Sequence, residues 1–93
     1  MSYRQHVDIL KDKFEKDKND IKITFDRSKS HIENLIASIY PEFGGGHTPN
    51  RKLKIEEYQQ QIRDLRWNRD IEIDKLRTEF ESDLKEIRNK YYV

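Results

Sequence analysis

The sequence predicts an all-α protein: two long antiparallel helices that form a helical hairpin with coiled-coil-like packing and an 11-residue repeat. The three glycines and two prolines of the 93-residue chain all lie between residues 41 and 49. Two uninterrupted arms remain, and in each arm apolar residues recur at steps of three and four. These steps repeat every eleven residues, about 3.67 residues per turn, which is typical of long, nearly straight helices. We therefore treat residues 1–93 as a single helical hairpin.

The first arm predicts a helix over residues 2–40. Ser2 and Gln5 have the S-x-x-Q spacing of a capping box, in which each residue satisfies the other's free backbone amide. Tyr40 precedes Pro41, and the residue before a proline is disfavoured in helical conformation. The apolar residues of this arm form two columns with eleven-residue spacing: Leu10, Ile21 and Ile32, and Phe14, Phe25 and Ile36.

The second arm predicts a helix over residues 49–91, after a loop over residues 41–48. Thr48 followed by Pro49 is typical of an N-cap and a first helical residue. A connection this short requires two long helices to lie adjacent and antiparallel. The apolar stripe of this arm comprises Tyr58, Ile62, Leu65, Arg69, Ile73, Leu76, Phe80, Leu84, Ile87 and Tyr91. If the arms pair over their full length, Phe25 faces Arg69.

The composition indicates that a single hairpin has too few apolar residues for a large hydrophobic core. Only 33% of the residues are hydrophobic and 40% are charged, against roughly 45–50% and about 25% in ordinary globular domains. Two helices that pack through one stripe each cover a core residue on one side only, so the folding stability of a lone hairpin is marginal. Further apolar residues lie partly off the stripe: Leu35, Ile39, Leu53, Ile55, Trp67 and Ile71. We expect a second copy to cover them, in a homodimeric four-helix bundle or a larger homo-oligomer.

Several functional classes find no support in the sequence. The net charge is +1, which argues against general binding to nucleic acid or to a membrane surface. The chain has no cysteine, which excludes disulfides and fits a cytoplasmic location. No catalytic motif is present, and no histidine has another at i+3 or i+4. We therefore predict no enzyme activity, no catalytic residue, no metal site and no cofactor.

One candidate site is a basic, aromatic hairpin tip. Arg51 and Lys52 fall in the first turn of a helix, where cations oppose the helix dipole, so an acidic partner would explain them. Exposed aromatic side chains beside them would suit a contact with another protein. The candidate tip residues are Tyr40, Phe43, His47, Arg51, Lys52 and Lys54. The alternative is a flexible turn with solvated lysines.

A second candidate site is a basic pocket between subunits. Lys18, Lys29 and Arg69 occupy stripe positions that are otherwise apolar, while Tyr3 and Trp67 are available to stack on a base. Such a pocket would hold an anion, including a small phosphorylated ligand. The alternative is structural: long side chains lie along the stripe, and Arg69 makes a cation–π contact with Phe25.

These features favour a non-enzymatic interaction protein, acting as an oligomeric scaffold, an adaptor or a stoichiometric inhibitor of another protein. The chain also resembles, loosely, the small phage hairpin proteins that sequester cyclic-nucleotide signals. That resemblance rests on size, the two-helix form, the Tyr3–Lys18 separation and the pattern Ile71, Leu76 and Phe80. It implies capture of a small anionic ligand between subunits. RNA binding by a helical bundle is the third alternative, weakened by the near-neutral charge.

Overall fold

The computed structural model describes residues 2–39 and 49–92. Over these ranges the chain is all helical, with no strand, as predicted. Helix α1 spans Tyr3–Ile39 and helix α2 spans Pro49–Tyr92. The molecule is a thin rod with extents of 70 × 17 × 11 Å, because the 44 residues of α2 alone rise about 66 Å. The predicted loop, residues 41–48, lies outside the described residues.

The capping box predicted at the start of α1 is confirmed. The backbone amide of Gln5 donates to Ser2 Oγ at 3.2 Å, and the backbone amide of Ser2 donates to Gln5 Oε1 at 3.0 Å. The Ser2 carbonyl accepts the first helical hydrogen bond, from His6 at 3.1 Å. Ser2 is therefore the cap of α1, and the helix begins at Tyr3, one residue later than the predicted range.

Ring contacts between the helices follow a constant spacing. Tyr3 lies 5.8 Å from Tyr91, measured between ring centroids, and Phe14 stacks on Phe80 at 4.8 Å. The guanidinium carbon of Arg69 lies 4.4 Å from the ring centroid of Phe25. From each contact to the next, α1 advances by eleven residues and α2 retreats by eleven. These contacts are consistent with the predicted hairpin, and they follow the 11-residue repeat of the apolar stripe.

The core between the helices is shallow. Among the described residues only Phe25, Ile32 and Ile55 are buried, each with 7% of its surface exposed. Ile55, which we expected partly off the stripe, belongs to this core. The other stripe residues of both helices are half-buried or exposed, because a two-helix contact covers each side chain from one direction only. Stability therefore depends on a few residues near the middle of α1 and the start of α2.

We predict that Ile32→Ala lowers the free energy of unfolding by about 2–4 kcal/mol, since the buried side chain leaves a cavity. Ile23→Ala is the matched control, because Ile23 lies on the same helix but is 40% exposed. Its effect should stay under about 1 kcal/mol. Urea unfolding followed by circular dichroism at 222 nm measures both. Equal losses in the two variants would contradict the assigned core.

Candidate interaction surfaces

The described part of the hairpin tip is exposed and basic. Arg51, Lys52 and Lys54 all lie at the surface in the first turns of α2, and the first turn holds no acidic residue. The side chain of Lys54 lies along α2. Its amine is 3.6 Å from a carboxylate oxygen of Glu57 and 5.1 Å from the ring centroid of Tyr58. The other tip candidates, Tyr40, Phe43 and His47, lie outside the described residues.

We predict that the cations at this end of α2 cost stability. Lys52 and Lys90 each lie four residues from a glutamate, Glu56 and Glu86 respectively, but near opposite ends of the helix. Changing either to Glu removes one such pair, and glutamate precedes lysine only in the pair of Glu86 with Lys90, so the orientation of the pair and the helix dipole both make the change at Lys90 the costlier one. Lys90→Glu should be more destabilising than Lys52→Glu by about 1 kcal/mol. Thermal unfolding at low ionic strength tests this, and the reverse order would contradict it.

The residues of the predicted pocket do not converge within one chain. Tyr3 and Lys29 are separated by about 39 Å along α1. Lys18 lies over the Phe14 ring, with its amine 5.8 Å from the ring centroid, and Lys29 pairs with Glu33 at 3.5 Å. The remaining two pocket candidates are Trp67 and Arg69. A single site that includes all five candidates would need side chains from several copies.

The side chain of Arg69 contacts other residues of the same chain. Its side chain is half-buried, covers the Phe25 ring, and binds Asp70 Oδ1 through Nε at 3.1 Å and Nη2 at 3.0 Å. The groove beside it is lined by residues of both helices, including two acidic ones: Asp20, Ile21, Thr24, Phe25, Ser28, Leu65, Asn68, Arg69 and Glu72. Since the guanidinium is already paired and Asp20 and Glu72 line the same groove, this groove is not suited to an anion.

We predict that Arg69→Ala lowers the free energy of unfolding by about 1–2 kcal/mol, because the cation–π contact and the packing of the side-chain stem are both lost. Arg66→Ala is the matched control on the same helix, since Arg66 is exposed. Its effect should lie within about 0.5 kcal/mol. Chemical unfolding measures both variants, and an Arg69→Ala protein as stable as the control would remove the structural role.

Aromatic side chains cluster where the two ends of the described chain meet. Tyr3 contacts Tyr92 as well as Tyr91, edge-on at 5.3 Å between centroids. His6 lies edge-on to Tyr91 at 5.5 Å, and its Nδ1 is 3.5 Å from the Tyr91 hydroxyl. These contacts place Tyr3 in a packed cluster at the end of the rod. The pairing that places Phe25 opposite Arg69 also places Tyr3 opposite Tyr91, whereas the sequence gave no indication of the contacts of Tyr92 with Tyr3 and of His6 with Tyr91.

A third surface, which we did not predict, lies on the far side of α2 from α1. Six residues without charge follow one another there at steps of seven and four, which again add up to eleven. We call this set the outer stripe of α2; it comprises Gln60, Trp67, Ile71, Thr78, Ser82 and Asn89. Trp67 is 67% exposed, and a shallow groove at the centre of the stripe is lined by Ile71, Asp74, Lys75, Thr78 and Glu79. The absence of charge over this length, in a chain with 40% charged residues, is the signal that could have revealed the stripe.

Other kinds of site find little support in residues 2–39 and 49–92. Within these ranges no three His, Asp or Glu side chains are grouped so that they could hold a metal ion. Neither α1 nor α2 is both long and apolar enough to cross a membrane. Comparison of the chain with known protein families, curated proteins and solved structures finds no match.

Proposed function

We propose that this chain is a non-enzymatic interaction protein, a rigid antiparallel helical hairpin that self-associates into an assembly of four or more helices. The helix faces and the basic tip would then be presented to another protein, in the role of a scaffold, an adaptor or an inhibitor. The observation that supports this best is the combination of a shallow core with large apolar side chains left at the surface.

The antiparallel arrangement is supported by the order of the contacts. Tyr3 pairs with Tyr91, Phe14 with Phe80, and Phe25 with Arg69. Such an order brings the start of α1 beside the end of α2, and it places Ile39 at the end of α1 and Pro49 at the start of α2 toward the other end of the rod. The tip would then stand clear of the aromatic end cluster, with its exposed cations Arg51, Lys52 and Lys54 open to an acidic partner.

Self-association is supported by what one copy leaves uncovered. Leu53 is 57% exposed, Ile9 is 56% exposed and Trp67 is 67% exposed. Full burial of an aromatic side chain such as Trp67 removes about 150–250 Å² of surface from water, and each Å² contributes roughly 25 cal/mol of stabilisation. A second hairpin would supply burial that one copy lacks, since only three of its described residues are buried.

Capture of a small phosphorylated ligand is the weaker alternative. The cations expected to form the pocket are separated along the helices, and those nearest the stripe are engaged with Phe14, Glu33, Phe25 and Asp70. Binding of such a ligand would require several copies to bring Lys18, Lys29 and Arg69 together. Self-association would therefore have to come first in this alternative as well.

We expect the protein to be a dimer or larger in solution. Light scattering at concentrations from about 1 to 500 µM should give a mass of at least twice the 11.4 kDa of the chain. The unfolding temperature should rise with concentration, because assembly stabilises only the folded state. A monomeric mass throughout this range, with a constant unfolding temperature, would contradict the proposal.

A further inference from the structure

The side chains that flank the outer stripe of α2 carry a specific charge pattern. Three couples of consecutive residues, one cation and one anion each, border the stripe at eleven-residue intervals: Arg63 and Asp64, Asp74 and Lys75, and Lys85 and Glu86. Successive helical residues are about 100° apart, so the two members of each couple lie on opposite sides of the stripe. All six side chains are exposed.

The first couple is held in place by a residue of the stripe itself. Gln60 Nε2 donates to Asp64 Oδ1 at 2.9 Å, and Arg63 donates to Gln60 Oε1 through Nε at 3.1 Å and Nη2 at 2.7 Å. The two charges therefore stand on either side of Gln60 before any partner arrives. When two helices pair, charged residues on either side of the contact stripe set the choice of partner and its orientation.

We propose that the outer stripe of α2 binds the outer stripe of a second copy, with the two α2 helices parallel and in register. This inference rests on the proposed self-association and specifies its surface and orientation. In a parallel pair related by a two-fold axis along the helices, each border residue meets the border on the other side of the stripe of the second copy. Arg63 then lies beside Asp64 of the other copy, Asp74 beside Lys75, and Lys85 beside Glu86.

Every border contact in this arrangement joins opposite charges, and two-fold symmetry repeats each of the three. Along the centre, Trp67 meets Trp67 and Ile71 meets Ile71, so the most exposed apolar side chain of α2 other than terminal Tyr92 is covered. Gln60 and Asn89 meet their own copies, and a side-chain amide can both donate to and accept from an identical amide. Zero offset also keeps the outer stripe in contact from Gln60 to Asn89, although one step before Gln60 it places Glu56 beside Glu56 of the other copy, a single repulsive contact.

The antiparallel pairing that keeps all six residues of the outer stripe in contact is electrostatically poorer. In an antiparallel pair each border meets the same border of the other copy. If Ile71 faces Thr78, then Arg63 lies near Lys85 and Asp74 lies near Asp74 of the other copy. Like charges this close are unfavourable, and each such contact is made twice or at the axis.

A second antiparallel register, shifted by one 11-residue repeat from the one just described, is intermediate in charge complementarity. It brings the two copies of Trp67 near the two-fold axis and places Arg63 beside Asp74 and Asp64 beside Lys75, which are both attractive contacts. It also places Lys52 beside Lys85, which is repulsive and occurs twice. The parallel pairing makes three kinds of attractive border contact and this antiparallel register makes two. From Lys52 to Glu86 only the parallel pairing has no like-charge border contact, so charge complementarity favours it.

The proposed pairing would make the assembly flat. The outer stripe lies on the side of α2 opposite to α1, so the four helices of a dimer would lie in a row, with the two α2 helices at the centre. This differs from the four-helix bundle expected from the sequence, in which each helix contacts two others around a common core. Both α1 helices, and the grooves between α1 and α2, would remain accessible to other partners.

A cysteine cross-link tests the orientation directly, because the chain has no cysteine of its own. Ser82→Cys should form a disulfide dimer rapidly under mild oxidation at micromolar protein, since residue 82 of each copy faces residue 82 of the other. Ser30→Cys is the matched control, an exposed serine on α1, and should cross-link at least tenfold more slowly. In the antiparallel register that brings Trp67 near the axis, the two residues 82 would be about 39 Å apart along the helices.

A charge exchange provides the second, independent measurement. Arg63→Glu should raise the dimer dissociation constant about tenfold, because two attractive contacts become repulsive. Adding Asp64→Arg in the same chain exchanges the couple and should restore the constant to within about threefold. The control Arg66→Glu, off the border, should leave it within about twofold.

The outcomes separate this inference from the proposed function. A wild-type dimer that does not cross-link through residue 82, or whose dissociation constant is not restored by the exchanged couple, overturns the parallel outer-stripe pairing while self-association stands. A wild-type protein that is monomeric at 500 µM overturns both. Circular dichroism of every variant checks that the helices are intact.

Discussion

The shape of this protein depends on one constraint, the match between the 11-residue repeat and the natural pitch of an α-helix. At about 3.67 residues per turn the apolar stripe drifts little around a straight helix, whereas a seven-residue repeat requires supercoiling. Two helices of 37 and 44 residues can therefore stay in contact over a rod 70 Å long. The contacts of Tyr3, Phe14 and Phe25 with α2 show this match directly, since each lies eleven residues after the one before.

The same constraint limits stability. A straight pair of helices has a narrow contact, so most stripe residues keep part of their surface in water and only three described residues are buried. The side chains at the edges of the contact are consequently amphipathic, and Arg69 is the best example. Its stem and guanidinium plane cover Phe25 while its charge is neutralised by Asp70. A long cation in an apolar stripe is in this case part of the packing.

The fold was largely predictable because its signals are local and repetitive. The capping box of Ser2 and Gln5, the confinement of glycine and proline to residues 41–49, and the period of the stripe each follow from residues close together in sequence. The contact of Arg69 with Phe25 was also predictable, since one pairing rule applies along the whole rod. The contact of Tyr3 with Tyr91 follows the same rule, but the contacts of Tyr92 with Tyr3 and of His6 with Tyr91 were harder to predict, because side-chain rotamers decide which rings meet.

The outer stripe of α2 escaped the sequence-based prediction for a physical reason. Hydrophobic periodicity detects a face by its apolar residues, and this face has only Trp67 and Ile71 among four polar side chains. What distinguishes it is missing charge, and missing charge is informative only in a chain as highly charged as this one. On the surface of a long exposed helix, an uncharged side chain contributes less to solubility than a charged one. A regular line of six uncharged residues bordered by paired charges therefore supports the proposed contact with another helix.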